Sequence, residues 1–172
     1  MNTNASHHRA ILQTIADRVM IQRGLLPDFS KEVLAELERL RPLIDKPAKD
    51  ALSATRDMRN LPWASIDNDD SMDLDQLTAS EVLEQGAVRI RVAIADVDAL
   101  VQKDTPIDAH ARTNTTSVYT SARIFPMLPE KLSTNLASLN AGQDRLALVT
   151  DMLFSADARL LHFTVYRALV RN

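Results

Sequence analysis

The apolar residues of this 172-residue chain change their spacing once, close to residue 60, and that change limits the fold more than any other feature. Before it, Ile11, Leu12, Ile15, Ala16, Val19 and Met20 recur three to four apart, which is the stripe of one helical face. Gly24 and then Pro27 predict where that helix ends. Asp28 or Ser30 is placed to cap a second helix with Val33, Leu34, Leu37 and Leu40 on one face, and Pro42 is expected to stop it. A short third helix is expected from near Pro47 through Ala51 and Leu52. Three short helices with tight turns would make a helix-turn-helix-like unit. After the change the period is two. In VRIRVAIA, Val88, Ile90, Val92 and Ile94 alternate with Arg89, Arg91, Ala93 and Ala95, the pattern of a strand.

The rest of the chain follows from the same reading. Leu77–Leu83 and Val88–Ala95 around Glu84-Gln85-Gly86 predict a hairpin, and Trp63–Ile66 a short strand before it. Pro106–Arg112 reads as a short helix. The prolines of IFPMLPEKL fix an extended loop leading into another short helix. Ala147–Phe154 and Leu160–Val170 read as two more strands, turned at Ser155-Ala156-Asp157. The expected fold class is α+β: a small helical domain over residues 1–58, then a mixed domain of strands and short helices over 59–172.

Composition narrows the function. Hydrophobic residues make up 45% and charged residues 25% of the chain, as in ordinary globular proteins. There is no cysteine, which removes disulfides, thiolate catalysis and Cys-zinc sites. The N-terminus has no basic-then-apolar signal pattern, and no apolar run reaches membrane-spanning length. The expected location is the cytoplasm. The formal net charge of −3 disfavours a protein that works by coating phosphates. In the second helix Lys31, Arg39 and Arg41 are matched by Glu32, Glu36 and Glu38, so a DNA-reading role for the helical unit is disfavoured too.

Against this background, residues 63–77, WASIDNDDSMDLDQL, stand out: Asp67, Asp69, Asp70, Asp73 and Asp75 fall within nine positions with no Lys or Arg between them. A solvated turn accounts for two or three aspartates. A calcium loop of the EF-hand type fails, because its glycine would fall at Met72 and its closing glutamate at Thr78. A Mg²⁺ site accounts for the cluster better. Mg²⁺ takes carboxylate oxygens, and like-charged carboxylates brought together become favourable when a cation lies between them. In an extended segment Asp73 and Asp75 point the same way, with Leu74 opposite. Asp67 is placed to fold back towards them. Other chemistries lack their residues: there is no G-x-S-x-G, no Walker A and no dinucleotide fingerprint, and the glycines are only Gly24, Gly86 and Gly142. His7 and His8 read as a frayed terminus, and His110 and His162 stand alone.

The motifs around this cluster resemble the ribonuclease II/ribonuclease R (RNB) family of 3′→5′ exoribonucleases. Ile66-Asp67 followed by Asp73-Leu74-Asp75 is similar to the family's acidic signature. Val92–Val101 (VAIADVDALV), Thr116–Asn140 with its Pro-Met-Leu-Pro loop, and Asp144–Phe154 resemble later family segments in the same order. The resemblance implies the first half of an RNB catalytic domain, with Mg²⁺-dependent hydrolysis of single-stranded RNA to nucleoside 5′-monophosphates. It implies Asp67 as a direct metal ligand, Asp73 as its support, Asp75 as the carboxylate on which cleavage depends most, and Tyr119 as the aromatic that stacks on the 3′-terminal base. Two departures accompany it. The family's fourth signature aspartate is Gln76 here, which offers a neutral carbonyl oxygen to a metal. The later half of the domain, with the arginines that hold the scissile phosphate, has no counterpart in these residues. The resemblance therefore implies the first part of a longer polypeptide, poorly active alone. The runner-up is an RNA-binding or regulatory protein that keeps the fold with weak or lost catalysis.

Overall fold

The computed structural model describes residues 3–44, 55–68, 71 and 73–172. The expected helix near Pro47–Leu52, Asp69 and Asp70 lie outside the described residues. The chain forms two compact units, residues 1–40 with 101–130, and residues 41–100 with 131–172. This division differs from the sequence boundary at residue 58, because residues 101–130 build their packing on the N-terminal helices.

In the first unit α1 (Thr3–Gln22) ends at Gly24. Gly24 has φ +76, and the Gly24 and Leu25 N–H groups donate to the Ile21 and Met20 carbonyls at 3.0 and 2.9 Å. That pair of bonds satisfies the last carbonyls of the helix and needs a left-handed residue, which glycine supplies without a Cβ clash. Ile11, Leu12, Ile15 and Val19 of the predicted stripe stay exposed, and of that stripe Met20 is the buried member. α2 (Lys31–Ile44) is capped by Ser30, whose Oγ accepts from the Val33 N–H at 3.3 Å. Pro42 does not stop α2, which runs two residues further to Ile44, since a helix end can overrun its breaker by a residue or two. α3 (Pro106–Asn114) opens with Pro106 in its first turn, where a missing N–H costs nothing. Its Ile107 N–H donates to the buried Glu36 carboxylate at 2.9 Å, so α2 supplies the anion that suits a helix N-terminus. At the other end, the buried Asn114 side chain accepts from the Leu26 N–H at 2.8 Å and donates to the Leu26 carbonyl at 2.9 Å.

The second unit is built on a five-stranded sheet in the order β1 (Arg56–Asp57), β7 (Leu160–Arg171), β6 (Asp144–Phe154), β3 (Val88–Ala95), β2 (Gln76–Val82). Neighbours are antiparallel except β1 with β7. The predicted hairpin of β2 and β3 is present, turning through Gln85 and Gly86 at φ 60 and 78. β6 and β7 form the second predicted pair. The expected strand at Trp63–Ile66 is reduced to one bridge, Ala64 with Thr78. Pro62 lacks an N–H for a ladder, and the Trp63 N–H turns back to the Leu61 carbonyl at 2.9 Å. β1 was not foreseen, since two residues carry no period.

The core lies on one face of this sheet. The row Leu77–Ala93–Val149–Tyr166 crosses four strands, and the next row runs Ala95–Ala147–Ala168. These small residues admit Trp63 and Leu139 against the sheet. Each fully buried large side chain stabilises the unit by roughly 1.5–3 kcal/mol relative to exposure. The opposite face carries exposed Ile94, Leu148, Phe163 and Val165. No described helix is long and apolar enough to cross a membrane.

Candidate active site

The acidic segment enters at the edge of the sheet. The Ala95 N–H donates to the Asp75 carbonyl at 2.9 Å, which extends the β2–β3 ladder one residue beyond Gln76. Asp75 thus prolongs the core-side alanine row to the sheet edge, where its side chain is exposed. One residue further back, Leu74 is held on both sides of its peptide. Its N–H donates to Ser138 Oγ at 3.1 Å, and its carbonyl accepts from the Leu139 N–H at 2.7 Å. Ser138 is 1% exposed. Its hydroxyl donates to Asn140 Oδ1 at 2.9 Å, and its carbonyl accepts from Arg145 Nε at 3.1 Å. Leu74 is half-buried, and Asp73 and Asp75 on either side of it face solvent.

Asp67 lies on an exposed stretch with Ile66, which is 94% exposed, and Asn68, whose carbonyl accepts from the Ser71 N–H at 3.0 Å. Among the described residues no three His, Asp or Glu side chains gather into a metal-holding group, so Asp67, Asp73 and Asp75 are not brought together as one set. Gln76 is exposed and, by alternation within β2, shares a face with Thr78, away from Leu77 and the core. The donors are hard oxygens on solvent-facing side chains. Mg²⁺ is held by one or two carboxylates and keeps several waters, so Asp73 and Asp75 on one rigid segment suit it without a third carboxylate in contact.

Asp96, next to Ala95, is the acidic neighbour that sequence reasoning passed over. It is buried, and Arg167 Nε lies 2.8 Å from its Oδ2 without hydrogen-bond alignment, so the pair is held by charge. Arg167 also reaches Asp98 at 2.5 Å. These carboxylates are already compensated, whereas no ion pair involves Asp67, Asp73 or Asp75 among the described residues. The other hidden parts are Ser138 and Leu139. They fall within the family-like segment Thr116–Asn140, but no local pattern gives them this role, because the Ser138 contact is made 64 residues away.

Tyr119 belongs to the first unit. β4 (Val118–Tyr119) and β5 (Ile124–Phe125) form a short hairpin with Val118 opposite Phe125 and Tyr119 opposite Ile124. Phe125 is 1% exposed and Tyr119 is 67% exposed, so the hairpin buries one face and offers the tyrosine on the other. Thr120 shapes the turn: its Oγ1 accepts from the Arg123 N–H at 3.0 Å and donates to the Arg123 carbonyl at 2.6 Å.

The profile of the RNB domain matches residues 55–172. Ribonuclease R of Escherichia coli is 38% identical over 135 residues, 78% of this chain and 17% of the relative. Ribonuclease R of Acidithiobacillus ferrooxidans is 39% identical over 147 residues, 86% of this chain and 33% of the relative. The chain therefore spans a third or less of the length of these curated relatives. Among solved structures, Mycoplasma genitalium RNase R in complex with ribose-methylated single-stranded RNA superposes with a TM-score of 0.78 at 27% identity, covering 90% of this chain and 23% of that one. Yeast Ssd1, described as a pseudonuclease, shares the fold with a TM-score of 0.63 at 15% identity, over 72% of this chain and 16% of that one.

Proposed function

The chain belongs to the RNB-domain family, and from that premise we propose that it supplies the acidic metal site and the base-stacking hairpin of a 3′→5′ exoribonuclease acting on single-stranded RNA. The observation that carries this reading is the position of Asp67, Asp73 and Asp75 inside the matched region, with Asp73 and Asp75 exposed on a segment pinned at Leu74. Relatives named Ribonuclease R at 38–39% identity support the activity. The Mycoplasma RNase R structure with single-stranded RNA supports the substrate.

Asp73 and Asp75 would hold Mg²⁺ first, with Asp67 and the Gln76 amide oxygen swinging in to complete its ligands, and the bound ion would activate water and offset charge at the scissile phosphate. Asp75 is the carboxylate fixed most firmly, through its own carbonyl and through Leu74, so it sets the direction from which the phosphate is approached. Asp73 shares that side and supports it. Gln76 adds an oxygen without charge, and the site repels the RNA backbone less than four carboxylates would. Tyr119 offers a sequence-tolerant face to the terminal base, which suits an enzyme that removes any nucleotide. The arginines that clamp the phosphate in phosphoryl transfer are commonly worth about 10³-fold or more. We assign that clamp to the remainder of a longer polypeptide working in the cytoplasm, and turnover by these residues alone is slow.

The test is a 5′-labelled single-stranded RNA incubated with Mg²⁺ and either this chain or its Asp75→Asn variant, read on a denaturing gel. A shortening ladder lost in Asp75→Asn and in EDTA is the expected result. A ladder that survives Asp75→Asn removes the assignment. Gln76 and the pseudonuclease neighbour favour a second reading, RNA binding without cleavage. Tight RNA binding with no cleavage, even in a longer polypeptide that carries the phosphate clamp, would select it.

A further inference from the structure

Residues 1–54 lie outside the matched RNB region, and nothing in the proposed chemistry uses them. The structure nevertheless ties them to the Tyr119 hairpin, above all through one side chain. Arg123 follows the Thr120 turn and immediately precedes β5, its guanidinium 4.7 Å above the ring of the buried Phe125. From there Nη1 donates to Asp17 of α1 at 2.9 Å, and Nη2 donates to the Pro27 carbonyl at 2.9 Å and to Asp28 at 2.6 Å. A longer contact, from Gln13 Nε2 to the Ala122 carbonyl at 3.4 Å, lies beside it. One planar fork thus joins α1, the loop between α1 and α2, and the hairpin. Lysine cannot reproduce that arrangement, having a point charge in place of a fork.

The hairpin needs such a fastening. Its two strands are two residues each, too short to be stable as an isolated ribbon. Its inner face is Val118 and Phe125, and its outer face presents Tyr119 and Ile124, 67% and 54% exposed. With the inner face bolted to α1 by Arg123, the orientation of Tyr119 is set by residues far from it in sequence.

We propose that the N-terminal helical segment is a brace for RNA reception: Asp17 and Asp28 hold Arg123, and Arg123 positions Tyr119 for the terminal base of a single-stranded RNA. This rests on the stacking role of Tyr119. Arg123 is a positioning residue, and Asp17 and Asp28 act through it.

The 172-residue chain is titrated onto a short single-stranded RNA carrying 2-aminopurine at its 3′ end, in EDTA so that the RNA stays whole, and onto the same RNA with the probe mid-strand. Stacking quenches the probe. Tyr119→Ala is expected to remove the 3′-end quench, with an affinity loss of about fivefold or more. The double variant Asp17→Asn, Asp28→Asn leaves the hairpin residues untouched. Two partly exposed ion pairs shift the braced population by about three- to tenfold, so it is expected to lose most of the Tyr119-dependent quench. Arg123→Lys is expected to fall between wild type and the double variant. The mid-strand signal and the hydrogen-exchange protection of α3 stay as in wild type, whereas general unfolding of this unit would move both. A Tyr119-dependent quench unchanged in the double variant refutes the brace and leaves stacking intact. A 3′-end quench that is absent in wild type, or survives Tyr119→Ala, refutes stacking and the brace with it.

Discussion

Ser138→Ala is the substitution that most sharply separates a pinned acidic segment from one that merely passes the sheet edge. Ser138 is buried, and its hydroxyl is the acceptor for the Leu74 N–H at 3.1 Å and the donor to Asn140 at 2.9 Å. Alanine fits the same space, so no cavity beyond the hydroxyl is made. What it leaves is a half-buried N–H without its partner, which costs about 1–3 kcal/mol. The Leu139 N–H bond to the Leu74 carbonyl remains and keeps the loss from being larger. A urea slope of about 1–3 kcal/mol/M turns a loss near 2 kcal/mol into a midpoint lowered by roughly 1 M. Trp63 reports it directly, being the chain's one tryptophan and buried in the same core as Leu139. The control is Ser155→Ala in the exposed β6–β7 turn, where water replaces the lost bonds to Asp157 and to the Arg159 N–H and carbonyl, a change worth less than about 0.5 kcal/mol. If Ser138→Ala and Ser155→Ala have the same midpoint, the pinning of Asp73 and Asp75 through Leu74 is wrong.

Other expectations follow from the same contacts. Thr115, at the end of α3, sits at φ 59 with a β-branched side chain; Thr115→Gly is expected to raise stability by about 1 kcal/mol, read by urea unfolding, and a loss would contradict it. Gly86 has φ +78, and a Cβ there would meet Ala156 Cβ at 3.3 Å; Gly86→Ala is expected to cost about 1–2 kcal/mol, and a neutral midpoint would show that the turn rearranges freely. Burial lowers the His110 pKa from its ordinary 6.5. The folded state then binds fewer protons than the unfolded chain below pH 6.5, so this contribution is full above that pH and is lost as pH falls towards the folded value. His110→Gln is expected to flatten that part of the pH–stability curve, and an unchanged slope below pH 6.5 would exclude His110 as its source.

The parts of the fold that were legible in the sequence are those with a period. VRIRVAIA, its hairpin partner and the strands from Ala147 and Leu160 declared themselves by alternation, although the first of these begins three residues earlier, at Asp144, and Gly24 and the choice of Asp28 or Ser30 did so by the chemistry of helix ends. β1 was too short for a period, and Trp63–Ile66 looked like a strand because apolar residues near a proline resemble one. The grouping of residues 101–130 with the N-terminal helices rests on side-chain contacts such as Arg123 with Asp17 and Glu36 with Ile107, made 106 and 71 residues apart, which no local pattern encodes. The candidate site divides in the same way. Asp67, Asp73 and Asp75 were visible as an unneutralised cluster. Ser138, Leu139 and the compensated Asp96 were not, because a buried hydroxyl and a peptide N–H act through geometry alone.

The most direct measurement is a titration of the chain with Mn²⁺, standing in for Mg²⁺ and followed by electron paramagnetic resonance, for wild type and for Asp75→Asn. The account predicts saturable binding that Asp75→Asn weakens by about tenfold or more, since it removes a charged ligand from a site of few carboxylates. Identical isotherms for the two proteins would mean that the acidic segment does not hold the metal, and the proposed chemistry would have to be sought elsewhere in the chain.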